Sequence, residues 1–172
     1  AFALYMVPGL WGAPCKAVSA FAPPMQTQDF RIGGTEEVHA QFTDYEEGMA
    51  YARQHGKPVL VDFTGYGCVN CRKMEAAVWT DPQVAATIRD RYVLISLYVD
   101  EKTALDSTIT VSENGAQTKL RTVGDKWSYL QRVKFGANAK PLGPSYAFDE
   151  SVDAYMAFLR QGLDTYAKRS AQ

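Results

Sequence analysis

Two apolar runs stand out along the chain. Val59-Leu-Val-Asp-Phe63 has the composition of a strand, broken only by Asp62. Tyr92-Val-Leu-Ile-Ser-Leu-Tyr-Val99 is apolar at odd and even positions alike except for Ser96, the pattern of a central parallel strand covered on both faces. Between and around these runs the period changes to that of helices. Tyr45, Met49 and Ala52 recur at i, i+4 and i+7 behind a cap at Thr43 or Asp44, and Gly56 stops that helix. Cys68 to Val78 contains neither glycine nor proline, as a helix requires. Asp81-Pro82 places a cap and an N1 proline before Val84 and Ile88. Further on, Trp127, Leu130 and Val133 mark a helix over Asp125 to Phe135 that Gly136 ends. The last helix, Ser151 to Lys168, carries a stripe of Val152, Tyr155, Met156, Leu159, Leu163 and Tyr166. Helix, strand, helix, strand is an α/β order.

The remaining stretches organise the chain. Residues 1–25 carry one charge, Lys16, but Pro8, Gly9, Gly12 and Pro14 interrupt the apolar run, so it cannot span a membrane alone. It reads as the end of a membrane segment, with a truncated signal peptide or a buried arm as the competing readings; Cys15 within it receives no role. Residues 26–35 are a polar linker, Val38 to Phe42 is a short edge strand, and the folded domain is expected over 36–172. Inside it, residues 101–124 are a polar surface insertion, with Thr108 to Leu120 forming a hairpin that turns at Asn114-Gly115.

Composition narrows the function. A chain of 172 residues, 47% hydrophobic, suits one core of ordinary size. Eighteen basic and nineteen acidic residues give a net charge of -1 with no basic block, which excludes nucleic acid as an expected partner. Three cysteines are too few for a disulfide-stapled scaffold.

Two of those cysteines carry the candidate chemistry. The strand ending at Phe63, the turn through Gly65 and Gly67 and the helix after Cys68 place Cys68 and Cys71 at a helix N-terminus, where unpaired N–H groups favour a thiolate. The two-residue spacer suits an intramolecular disulfide. It also suits half a zinc site, but the other possible ligands are Cys15 and two scattered histidines, His39 and His55, read as ordinary polar residues. Asp62 lies on the face of Leu60, beneath a covering helix; burial raises its pKa and suits it to exchange a proton with a neighbouring thiol. Glu75 follows Cys71 by one helical turn. Val69 and Asn70 offer the thiolate no cation, whereas two carboxylates destabilise it, so the disulfide is the easier form to make and the site is expected to be a reductant.

Asp62 six residues before Cys68, together with Cys-Val-Asn-Cys-Arg-Lys-Met-Glu75 and Trp-Thr-Asp-Pro-Gln-Val84, resembles the C-terminal domain of the thiol:disulfide interchange protein DsbD family over residues 36–139. The resemblance implies a thioredoxin-like fold, a central sheet flanked by helices, facing the periplasm at the bacterial inner membrane. It implies electrons taken from a membrane domain and passed to disulfide-containing envelope proteins. Cys68 matches the attacking thiol, Cys71 the resolving thiol, and Asp62 and Glu75 the acidic pair. The redox-active disulfide is the only cofactor expected. Tyr66, Gly67, Val69, Asn70 and Pro141 are the expected substrate contacts, Pro141 matching the loop that faces the disulfide. Two features depart from the pattern. Gly67 separates the aromatic Tyr66 from Cys68, and Gly136 to Glu150 is too short for the C-terminal hairpin, holding one strand at Ser145 to Phe148. One strand of that hairpin is therefore expected to be missing. The alternative to an enzyme is a metal-binding or docking module using the same cysteines.

Overall fold

The computed structural model describes residues 38–113, 115–136 and 143–171. The expected membrane arm, the linker, Cys15, Asn114 and Pro141 lie outside the described residues.

The first helix, α1 (Tyr45–His55), starts at Asp44, whose carboxylate accepts the amides of Glu46 and Glu47. It ends at Gly56, in the left-handed region at φ 59°. Strand β1 (Val59–Thr64) leads into α2 (Val69–Met74), which continues without a break as a widened π turn over Glu75–Trp79. Next come α3 (Pro82–Arg91), capped by Asp81, and β2 (Val93–Tyr98). The insertion forms the antiparallel strands β3 (Ala104–Glu113) and β4 (Ala116–Thr122). Helix α4 (Val123–Leu130) also widens into a π turn, over Gln131–Phe135, and α5 (Val152–Ser170) closes the domain.

Strands β1 and β2 pair in parallel from Val59↔Val93 to Thr64↔Tyr98. The expected edge strand before α1 contracts to a single parallel bridge, Phe42↔Ile95, on the far side of β2. That bridge leaves β2 central, and every one of its residues is buried, as its uniform apolarity requires. Alternation along β1 then separates two cores. Leu60 packs with Val78, Trp79, Val84, Ile88, Leu94, Tyr155 and Leu159 under α3 and α5. Val59, Val61 and Phe63 pack on the other face with Tyr45, Ala52, Val93, Ile95, Leu97 and Trp127, under α1 and α4. The sheet is thus covered on both sides.

The hairpin forms as the sequence predicts, closing on Glu113↔Ala116 with Gly115 at φ 83°. Its pairing is irregular between Ala104 and Ile109. Helix α4 begins two residues before the predicted start, because Thr122 and Asp125 form a reciprocal capping box. Its entry is tight. A Cβ on Gly124 would stand 2.6 Å from the Val99 carbonyl oxygen and 2.7 Å from that of Glu101, so glycine lets the start of α4 pack this closely on the backbone that leaves β2.

Ser145 to Phe148 requires a correction: it is irregular, not a strand. Instead of joining a ladder, Tyr146 docks by its ring, perpendicular to Tyr155 at 5.0 Å between centroids and tilted against Phe158 at 5.2 Å. Among the described residues neither strand of a C-terminal hairpin is present, and β1 pairs with β2 alone. No helix of the described residues is long and apolar enough to cross a membrane.

Candidate active site

Cys68 and Cys71 are joined by a disulfide at the start of α2. Cys68 is the N-cap residue, and its Sγ accepts the Cys71 amide at 3.3 Å. The same N–H is therefore in place for a Cys68 thiolate once the disulfide opens.

The turn that presents the pair is held from both sides. On one, the Asp100 carboxylate at the end of β2 accepts the amides of Tyr66 and Gly67, each at 2.9 Å. A Cβ on Gly65 would meet that carboxylate at 2.9 Å, so a larger residue there would push the Asp100 side chain from the two amides it holds. On the other side Arg72, only 3% exposed, donates to the Thr64 hydroxyl at 3.1 Å, the Gly65 carbonyl at 3.0 Å and the Glu75 carboxylate at 2.9 Å. The Gly65 carbonyl also receives the Cys68 amide at 3.1 Å. Neither Asp100 nor Arg72 was among the residues the motif singled out. Asp100 is separated from the turn by the whole of α2, α3 and β2, so nothing local announces it. Arg72 had a local signal, its i,i+3 spacing from Glu75.

Of the predicted site residues, Asp62, Asn70, Cys71 and Glu75 border one open cavity of about 1150 Å³, which Tyr146 and Phe148 also line. Tyr66, Gly67 and Val69 lie at the surface, with Tyr66 and Val69 about half exposed at 48% and 44%. Tyr66 leans back over the turn, stacking on Tyr98 at 4.4 Å and donating its hydroxyl to Glu101 at 3.0 Å.

Asp62 is half-buried on the cavity wall, yet so closely surrounded by protein atoms that loss of hydration raises its pKa to about 6. The Ser96 hydroxyl, donated at 3.2 Å from directly across the ladder, and the Arg72 charge hold it back from rising further. The one polar residue in β2 is there to face the one carboxylate in β1. Glu75 is 11% exposed and ion-paired to Arg72, whose charge also acts on Asp62, so the buried guanidinium offsets part of the negative charge of the two carboxylates. Tyr98, raised to about 12 by burial and then by Glu75, stays neutral beside them.

The raised Asp62 pKa has a consequence for stability. The folded chain holds this proton up to about pH 6, whereas an unfolded Asp releases it near pH 4. The native state therefore loses stability as pH rises through that window. Asp62→Asn is expected to raise the unfolding free energy at pH 7.5 by about 1–3 kcal/mol, and by nothing resolvable below pH 4. Urea unfolding at the two pH values measures it; an equal effect at both would show that Asp62 titrates normally.

Among the described residues, no three His, Cys, Asp or Glu side chains are grouped to hold a metal ion.

Residues 40–118 match a family model described as Thioredoxin-like. The chain is 30% identical over 117 residues to the thiol:disulfide interchange protein DsbD of Ralstonia nicotianae, covering 58% of this chain and 19% of that protein. It is 32% identical over 92 residues to DsbD 1 of Pseudomonas aeruginosa, covering 51% of this chain and 15% of the relative. With the Vibrio vulnificus protein of the same name it shares 35% over 76 residues, 44% and 12% of the two chains. The chain thus spans a fifth or less of the length of these relatives. A thioredoxin from Thermus thermophilus, solved in solution, aligns with 56% of this chain and 88% of its own at 26% identity and a TM-score of 0.32. The fold is thioredoxin-like, and a Cys-x-x-Cys disulfide in a domain similar to segments of thiol:disulfide interchange proteins supports thiol–disulfide oxidoreductase chemistry.

Proposed function

We propose that the chain is a protein-disulfide reductase, which takes electrons from a membrane-embedded donor domain and passes them to disulfide-containing envelope proteins on the periplasmic side of the bacterial inner membrane. The observation that carries this reading is the placement of Asp62 and Glu75 on the cavity that Cys71 also borders. Carboxylates near the pair oppose thiolate formation, so the dithiol is the higher-energy, electron-giving form.

In the reduced state the Cys68 thiolate attacks a substrate disulfide, forming a mixed disulfide and expelling one substrate thiolate. Cys71 then gives its proton to Asp62 and attacks Cys68 Sγ, releasing the second substrate thiolate and closing the Cys68–Cys71 bond. Two electrons leave the pair; Asp62 passes the Cys71 proton to the second substrate thiolate as it departs, and the first substrate thiolate takes its proton from solvent, which received one when the Cys68 thiolate formed. The dithiol pair is itself the redox centre. Tyr66, Gly67, Val69 and Asn70 are exposed around it and supply the surface for an extended polypeptide. Pro141, the remaining substrate contact in this reading, lies outside the described residues.

Equilibration of the purified chain with glutathione buffers tests the direction. A midpoint near that of thioredoxin, about −270 mV, is expected. A midpoint near about −120 mV, the range of strong oxidants, would reverse the proposed electron flow. Stoichiometric zinc on the two cysteines, with no disulfide exchange, would replace the enzyme by the metal-binding module.

A further inference from the structure

Arg72 is the most buried charged residue beside the cysteines, and the exchange steps above do not use it. Its guanidinium reaches three elements at once: Thr64 at the end of β1, Gly65 in the reactive turn and Glu75 within its own helix. At Gly65 it shares a carbonyl acceptor with the Cys68 amide, which puts the guanidinium within two hydrogen-bond lengths of the Cys68 backbone. Burying such a cation is costly unless its partners are fixed, and here they are fixed on both sides of the turn. The groups that face it are Asp62 from β1, Glu75 from α2 and Tyr98 from β2. Two are acids and the third is a buried phenol. Arg72 is the positive charge at the centre of this group.

We propose that Arg72 is a positioning residue for the disulfide exchange, one that locks the reactive turn onto β1 and supplies the cation that lets a thiolate form at Cys68 despite the two neighbouring carboxylates. The role has two separable parts. The planar fork fixes the turn through several directed bonds at once, and its charge offsets Asp62 and Glu75. Lysine in its place keeps the charge without the fork. Methionine keeps much of the apolar length and loses both.

The inference rests on the proposed exchange chemistry, but its test does not need turnover. The full chain is reduced, and iodoacetamide labelling of the Cys68 peptide is followed by mass spectrometry between pH 5 and 10, so that Cys15 and Cys71 are read separately. In Arg72→Met the labelling rate of Cys68 at pH 7 is expected to fall about tenfold, with the midpoint of the profile moving up by about one unit. In Arg72→Lys the midpoint should stay near that of the natural chain. Amide hydrogen exchange at Cys68, whose N–H depends on the Gly65 carbonyl, should accelerate about tenfold in Arg72→Lys while β2 stays protected.

An unmoved Cys68 profile in Arg72→Met, accompanied only by a lower melting temperature, would reduce Arg72 to a structural residue and overturn the proposal. If the methionine variant does not fold, the lysine variant decides: unchanged exchange at Cys68 sinks the positioning role. Failure of the natural chain to reduce any protein disulfide would instead count against the enzyme reading, and would leave these two measurements standing.

Discussion

Serine at position 68 should take disulfide reduction down to the uncatalysed background, whereas serine at position 71 should leave the first half of the reaction intact and trap it. The asymmetry follows from where the two sulfurs sit. Cys68 Sγ receives the Cys71 N–H and lies at the N-terminal end of α2, so this sulfur has a preformed donor when it carries charge. Cys71 is the third residue of α2 and lies on the cavity that Asp62 borders, where a proton acceptor lines the same wall, and its own amide is given to Cys68 Sγ. An attacking thiol needs the first environment and a resolving thiol the second. The check is direct: the reduced Cys71→Ser chain is mixed with a peptide disulfide and the products are weighed. A covalent adduct at Cys68, cleared by dithiothreitol, is the expected species. An adduct that forms in Cys68→Ser and not in Cys71→Ser would exchange the two roles.

The local elements were largely legible, because each is announced within its own few residues. Gly56 and Asp81-Pro82 mark helix ends by backbone preference, and the structure follows both; the hairpin predicted around Gly115 closes on Glu113↔Ala116. The start of α4 was legible too, since Thr122 and Asp125 have capping-box spacing, but the polar character of the insertion draws attention away from it. What the sequence hides is contact across the fold. Ser96 reads as a lone polar exception in β2, and only the register of the ladder reveals that it faces Asp62. Asp100 reads as the start of a polar stretch, yet its carboxylate holds two amides of a turn more than thirty residues earlier. Ser145 to Phe148 fails for the opposite reason. Its alternating Tyr146 and Phe148 look strand-like, but a strand needs a partner ladder, and Tyr146 finds aromatic partners on α5 instead.

Asp62→Asn should separate the two halves of the exchange. With the carboxylate replaced by a neutral amide of the same shape, one of the two negative groups beside the thiols disappears, so the pKa of Cys68 falls and its labelling at pH 7 speeds up. Resolution should change the other way. Cys71 must lose a proton before it attacks, and a positioned acceptor is worth about 10²- to 10⁴-fold in such a step. Decay of the mixed disulfide, followed by stopped-flow after attack on a peptide disulfide, is expected to slow by about a hundredfold in the variant at pH 7. In the natural chain the same decay should weaken as pH falls through about 6, where Asp62 takes up its proton. Below that value each further unit removes about tenfold of the basic form, and the variant should show no such limb. The variant would then be more stable at pH 7.5, quicker in its first attack and slower in its release. These three changes have one cause, a carboxylate kept in a poorly hydrated place because it must take up a proton there. An unchanged Cys68 titration together with an unchanged decay rate would remove Asp62 from the mechanism and leave it a hydrogen-bond acceptor for Ser96.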